Sequence, residues 1–303
     1  MNGVRPGSRH RRRRDALAGL AFTAPAMLHT LVFMLVPAGA ALYFSFTEWD
    51  MISPARWVGL RNYREILFDS DLYPDFWKSI RVTALYALLS VPASLVTGFV
   101  QAYLIDLLRR GQAFYRLVLY LPVITAEAAV AAIWKWLYDP RFGLVNAGLG
   151  VLGVRGPDWL GTPGVVVPAL ALIAAWQSGT AMLIFLAGLK GIPRTYYEAA
   201  EVDGANRWQQ LGRITLPLLR PTTFYLVVTG VIAALQVFGI VYVLFGGNAG
   251  PERSGLSYVL HLYLFGYRNG AMGAASAMSV VLFVTVLLVT VAQFRLIPRQ
   301  YEG

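Results

Sequence analysis

The chain has 303 residues, of which 57% are hydrophobic and 14% charged, with a formal net charge of +10. Soluble domains carry about 25% charged residues, so this composition excludes an ordinary water-soluble fold. The lack of cysteine excludes disulfides and thiolate metal sites, and His10, His29 and His261 are too scattered to form a metal site.

A bilayer-spanning helix needs about 20 mostly apolar residues. Six runs meet this: Phe22–Phe46, Ser79–Leu104, Leu117–Leu137, Val165–Leu189, Thr222–Phe245 and Ala274–Ile297. None alternates as a membrane β-strand would. The expected fold is therefore an all-α polytopic membrane protein with six transmembrane helices.

The basic stretch RHRRRR precedes the first run. With the N-terminus in the cytoplasm and six crossings, the inner segments hold the whole +10 excess, while charges on the outer segments cancel. That is the positive-inside pattern. The basic stretch then reads as a topology signal touching anionic lipid. No interleaved aromatics accompany it, so no nucleic-acid partner is expected. The first apolar run exceeds the ~7–15 residues of a signal-peptide core, so it is expected to be retained as a helix. The resulting division is a basic cytoplasmic tail (1–21), a membrane domain (22–297) and a cytoplasmic C-terminal tail (298–303).

Along the chain, the first outer segment predicts a short amphipathic helix near Asn62–Phe68. Trp49, Trp57, Tyr73 and Trp77 in it suit the membrane–water interface. The inner segment Asp106–Tyr115 reads as a short basic turn. In the third apolar run, Glu127 follows Pro122 near mid-membrane, where a carboxylate is costly. Two readings stay open for it: a pathway or proton-relay group, or a packing group. The second outer segment is punctuated by glycine and proline and predicts irregular chain with one short helix. In the fourth run, Gln177 and Thr180 are three apart and share a helix face, flanked by Trp176. In the fifth, Thr229 and Gln236 are seven apart and also share one. In hydrocarbon such groups need partners, so they either bond neighbouring helices or line a cavity. The third outer segment predicts a flexible glycine stretch and then a helical run at Tyr258–Tyr267. No internal repeat is evident, which weighs against an inverted-repeat secondary transporter. A stand-alone transporter with Glu127 as proton carrier is the alternative reading.

Between the fourth and fifth runs lies YYEAAEVDGANRWQQLGRITLPLL, a long polar interruption. Thr195 with Glu198, and Asn206 with Gln209, have capping-box spacing. Gly204 separates the two, and Pro217 and Pro221 end the second helix. The expectation is helix, glycine turn, helix, with acidic Glu198, Glu201 and Asp203 in the first half. Interfacial helices on lipid favour basic polar faces, so the acidic half points to a protein partner.

Glu198-Ala199-Ala200, Gly204, Ile214, Leu216 and Pro217 occupy every fixed position of E-A-A-x3-G-x9-I-x-L-P. This resembles the EAA loop of permease subunits of binding-protein-dependent ABC importers. The segments SFTEWD, VGLRNY, FYRLVLYLPVI, FGLVNAGLG, DWLG and SAMSVVLF extend the likeness over most of the chain. Their order is most similar to the first permease of a glycerol-3-phosphate-type pair within the carbohydrate-uptake permeases. The resemblance implies a type I importer membrane domain in the bacterial plasma (inner) membrane. Its partners would be a second homologous permease, two ATP-binding cassette subunits and an extracytoplasmic solute-binding protein. ATP and Mg would bind the cassettes, and this chain would hold no cofactor and catalyse nothing. Segment 193–217 would be the coupling loop. There Glu198 would pair with cassette cations, Ala199 and Ala200 would allow close approach, Asp203 would add to the acidic half, and Gly204 would supply the turn. The resemblance also puts Ile173, Trp176, Gln177 and Thr180 on the fourth helix, and Thr229, Ile232, Ala233 and Gln236 on the fifth, at the family's sugar site. Ile173 and Ala233 are apolar where that site is polar, which counts against maltose. A sugar, a glycerol phosphate and a glycerophosphodiester all stay open as solutes.

Overall fold

The computed structural model describes residues 9–69 and 71–296. The C-terminal tail 298–303 and the first eight residues, including Arg5, lie outside these. The chain runs through α1 (Arg9–Thr30), a π turn and α2 (Val36–Phe44) as one continuous helix. A ribbon of β1 (Thr47–Glu48) and β2 (Arg56–Trp57), then α3 (Arg61–Phe68), lead to the 32-residue α4 (Phe76–Leu107). After these come α5 (Gln112–Ile124), α6 (Glu127–Leu137), α7 (Leu144–Val151), α8 (Pro163–Trp176), α9 (Gly179–Lys190) and α10 (Arg194–Val202). The remainder is α11 (Arg207–Gln210), a π turn, α12 (Leu216–Leu218), α13 (Arg220–Leu235), α14 (Gly239–Leu244), α15 (Tyr258–Tyr263) and α16 (Met272–Leu296).

Among the described residues, three helices are long and apolar enough to cross a membrane: Leu17–Phe44, Phe76–Leu107 and Met272–Arg295. Three bent pairs bring the number to six if each pair is one span. The bends are 98° between α5 and α6, 46° between α8 and α9, and 62° between Arg207–Leu218 and α13. The apolar run Thr222–Phe245 is itself interrupted, forming α13 and then α14 after a break at Gln236–Phe238. Hydropathy marks the runs, but a helix breaks where local backbone groups find other partners. At the first bend the Thr125 hydroxyl donates to Leu121 O at 2.8 Å, and Thr125 itself is extended.

Two compact units divide the chain. The first comprises residues up to Ile66 together with Phe265–Leu282. In it, the Asn62 amide donates to both Ser45 O and Thr47 O at 2.9 Å, holding α3 against the β-ribbon. Gly273 packs on the Thr47 carbonyl and donates its N–H to Trp49 O at 3.1 Å. A side chain at Gly273 would collide with that backbone, so the position demands glycine. Asp50 accepts from the N–H groups of Ser53 and Ile52, which lowers its carboxyl pKa.

The second unit comprises Leu67–Leu264 and the residues from Phe283 on. It holds two separate apolar cores. One joins Tyr86 and Val91 of α4 to Val130 and Trp134 of α6, Leu170 and Ile173 of α8, and Val241 and Leu244 of α14. The other joins Ala102 and Ile105 of α4 to Met182, Phe185 and Leu189 of α9, and Leu226 of α13. Unbroken α4 contributes to both. Close helix approach in membranes rests on small residues. Here Gly98 of α4 lies where a Cβ would come within 2.7 Å of Ala181 Cβ and 3.0 Å of Met182 N.

The segment between α6 and α8 is irregular with one short helix, as its glycines and prolines predict. It is pinned by Trp159 Nε1 donating to Asn146 Oδ1 at 2.7 Å and by Tyr138 OH donating to Ala169 O at 2.9 Å. The glycine stretch after α14 takes positive φ at Gly246, Gly247 and Gly250. The predicted helical run beyond it is α15 continued by a π turn, and the Leu260 N–H donates to Ser257 Oγ at 3.3 Å to cap it. Burial, helped by the positive charge of Arg253, lowers His261 to about 4, so it is neutral at physiological pH.

Candidate functional site

A cavity of about 380 Å³ lies between the two cores of the second unit, within the ~300–1,000 Å³ usual for small-molecule sites. The bend between α8 and α9 opens directly onto it. Gln177 and Ser178 form that bend, and both line the cavity. Polar groups tie the bend to neighbouring helices. Ser94 Oγ donates to Ala174 O at 3.0 Å, Ser178 Oγ to Gln101 Oε1 at 3.3 Å, and Gln177 Nε2 to Pro122 O at 3.5 Å. Gly179 lets α9 start tightly against α5, since a Cβ there would sit 2.7 Å from Leu119 O.

Four of the sequence-predicted residues meet on this cavity: Gln177, Thr180, Thr229 and Ala233. Five do not line it: Trp176, Gln236, Glu127, Ile173 and Ile232. Trp176 turns away and packs edge-on against Trp134, ring centroids 5.7 Å apart. Gln236 lies beyond the lining, as the residue that ends α13. Glu127, expected near the middle of the third helix, instead opens α6 immediately after the 98° bend and rests against Gly239. Ile173 is buried in the first core rather than facing a solute. Sequence reading missed Tyr86, Ser90 and Ser94 of α4, which line the cavity's other wall. Their spacing of four places them on one helix face, a signal present in the sequence. Every lining residue is uncharged: hydroxyls and one amide amid apolar groups. Among the described residues no cluster of three His, Asp or Glu could hold a metal.

The polar interruption forms a second feature. α10 begins at Arg194 with Pro193 preceding it, and no side chain caps it. The expected Thr195–Glu198 capping box is therefore absent. Pro193, with φ of −60° and ψ of 133°, starts the helix early enough to place Thr195 inside its first turn. The second box is present: Gln209 N donates to Asn206 Oδ1 at 2.9 Å, and Asn206 N to Gln209 Oε1 at 2.8 Å. Between them Gly204 takes φ +78°. Ala205 N donates to Ala200 O at 2.8 Å and Gly204 N to Glu201 O at 3.0 Å, the two bonds of a Schellman turn. Asp203 is the residue at which α10 ends. The loop is anchored by the Tyr197–Thr215 hydroxyl bond of 3.0 Å. Glu198, Ala199 and Asp203 stay exposed, as do the apolar Val202 and Trp208, at 89% and 81%.

A Cβ at Gly204 would meet nothing within 4 Å, so Gly204→Ala suffers only from its left-handed backbone. The expected loss is about 1 kcal/mol, confined to the loop. Faster amide exchange at 203–206 with an unchanged global melting temperature would show it.

Bent apolar helices thus surround an uncharged cavity and are joined to an exposed acidic helical turn, an arrangement that suits a membrane-embedded solute transporter. The model of the family described as binding-protein-dependent transport system inner membrane component matches residues 87–301. The chain is 39% identical to the probable ABC transporter permease protein YesP of Bacillus subtilis over 93% of this chain and 91% of that one. It is 33% identical to the trehalose/maltose transport system permease MalF of Thermococcus litoralis, covering 93% and 94%. Identity to the sn-glycerol-3-phosphate transport system permease UgpA of Agrobacterium fabrum is 32%, covering 91% and 93%. A crystal structure of a bacterial ABC transporter involved in alginate import shares the fold, with a TM-score of 0.77 at 24% identity over 94% and 98% of the two chains. This chain belongs to the family of inner membrane components of binding-protein-dependent ABC importers. It is a multi-pass permease subunit, and partner ATPases bind the ATP. The stand-alone proton-coupled transporter is thereby set aside.

Proposed function

We propose that this chain forms half of the pathway for a neutral carbohydrate and couples it to ATP hydrolysis through segment 193–217. The lining of the cavity carries this reading. Tyr86, Ser90, Ser94, Gln177, Thr180 and Thr229 offer hydroxyl and amide hydrogen bonds, and no cation lines the wall. A phosphate ester entering there loses hydration with no counter-charge, which is strongly unfavourable. A sugar exchanges water hydrogen bonds for wall hydrogen bonds. The cavity chemistry therefore fits a neutral sugar better than glycerol 3-phosphate, while the apolar Ala233 on its wall still counts against maltose itself.

The remaining partners follow the family likeness: a second permease completing the pathway, two cassette subunits and a solute-binding protein. Glu198, Ala199, Ala200, Asp203 and Gly204 form the cassette contact, and the exposed Val202 and Trp208 suit a protein cleft. The positive-inside charge pattern favours cytoplasmic termini. Because the chain has no cysteine, single introduced cysteines report sidedness without background.

The test is the reconstituted complex with its binding protein. Neutral oligosaccharides should stimulate ATP hydrolysis, and glycerol 3-phosphate should not. Gln177→Leu should raise the half-saturating solute concentration by about tenfold, the weight of one lost hydrogen bond to a buried partner. Stimulation by the phosphate ester alone would overturn the neutral-solute reading.

A further inference from the structure

We infer that Glu127 is a positioning residue that seats the bend between α5 and α6 on the break between α13 and α14, so that α6 and α14 move as one body.

Glu127 is the first residue of α6, and Gly239 is the first residue of α14. The Glu127 carboxylate occupies the space into which a side chain at Gly239 would project. The two helix starts therefore interlock through a carboxylate and a missing methyl. Past this seat the two helices share the first core, through Val130 and Ala131 of α6 and Val241 and Leu244 of α14.

The cavity lies between this core and the second, so the bends lie where one core must pivot on the other when the cavity changes access. Two bends held in register swing together. Two loose bends would let α6 tilt without α14 and uncouple the cavity wall from the loop. Glu127 does not itself line the cavity, so it contacts no solute there and acts through its neighbours. This inference does not depend on the solute being neutral. The variants are assayed with whichever solute stimulates the wild-type complex, so the two ideas fail separately.

The experiment measures solute-stimulated ATP hydrolysis by the complete reconstituted complex carrying Gly239→Ala, Glu127→Ala, both together, or Glu127→Gln. Gly239→Ala, whose methyl collides with the carboxylate, should lower the maximal rate about tenfold and move half-saturation less than about twofold. The double variant should recover to the level of Glu127→Ala alone, because the collision is gone. Glu127→Gln keeps the shape, and should retain at least about half the rate with an unmoved pH profile. If Gly239→Ala fails to assemble, size-exclusion of the double variant reads the same coupling: recovered assembly supports the seat. A double variant showing the product of both single losses, or one that still fails to assemble, overturns it. So does a Glu127→Gln complex that is inactive or has a shifted pH profile, which would mark a proton carrier.

Discussion

Glu198→Lys should abolish solute-stimulated ATP hydrolysis while leaving the isolated permease as stable as the wild type. The reason is the exposure of α10. Glu198 makes no capping bond to Thr195, and α10 is anchored elsewhere, by Tyr197 on Thr215 and by the Schellman turn at Gly204. Surface substitutions away from structural contacts change stability by about 0.5 kcal/mol or less, so folding should not register this one. A partner would. Reversing a charge that faces a complementary cation replaces attraction by repulsion, and like charges brought together at an interface cost several kcal/mol, or on the order of 100-fold or more in coupling. Permease melting temperature, co-purification of the ATPase and stimulated turnover should be measured together. Full turnover in Glu198→Lys would remove Glu198 from the contact. A lowered permease melting temperature would mean that its role is structural.

Gly98→Leu should prevent a stable permease from forming. At this position α4 packs close against α9, and the obstacles are backbone and a methyl. A Cβ at Gly98 would stand 2.7 Å from Ala181 Cβ, 3.0 Å from Met182 N and 3.2 Å from Ala181 C. Backbone of a packed helix cannot swing aside as a long side chain can. Overpacking of this kind costs about 3 kcal/mol, a large fraction of the stability of one domain. The effect should also spread, because α4 serves both cores. Gly98→Ala is the graded version. Adding Ala181→Gly removes its nearest contact and should restore most of the lost melting temperature. Gly230→Ala is the control: its nearest neighbour is the Val91 side chain at 3.4 Å, so folding should tolerate it. Equal stability of Gly98→Leu and Gly230→Ala would contradict this account of the helix contact.

Local chemistry was legible wherever it acted over a few residues. The Asn206–Gln209 box and the Gly204 turn are decided by side chains and backbone within one turn of each other, and both are present. The Thr195–Glu198 box has the same pattern and is absent, because Pro193 shifts the helix start by two residues. The short helix Arg61–Phe68 and the helical run after the glycine stretch were likewise readable from local pattern. The cavity was half legible. Gln177, Thr180 and Thr229 stand out as polar groups in apolar runs, whereas Tyr86, Ser90 and Ser94 look like ordinary helix residues until α4 is seen beside α9 and α13.

The sequence by itself determined that this chain lies in a membrane, how many apolar runs it has, and which loop carries the family's coupling pattern. Those properties depend on composition and on spacing along the chain. The tertiary structure alone decided where the runs bend, that two cores meet at a cavity, and that Glu127 belongs to a seat on Gly239 rather than to the cavity wall. A helix in hydrocarbon breaks only where another element offers its freed backbone groups a partner or room for close approach. Pro122 O finds Gln177, Leu119 O admits Gly179, and Glu127 finds the missing side chain of Gly239. These partners are far apart in the chain, and only packing brings them together.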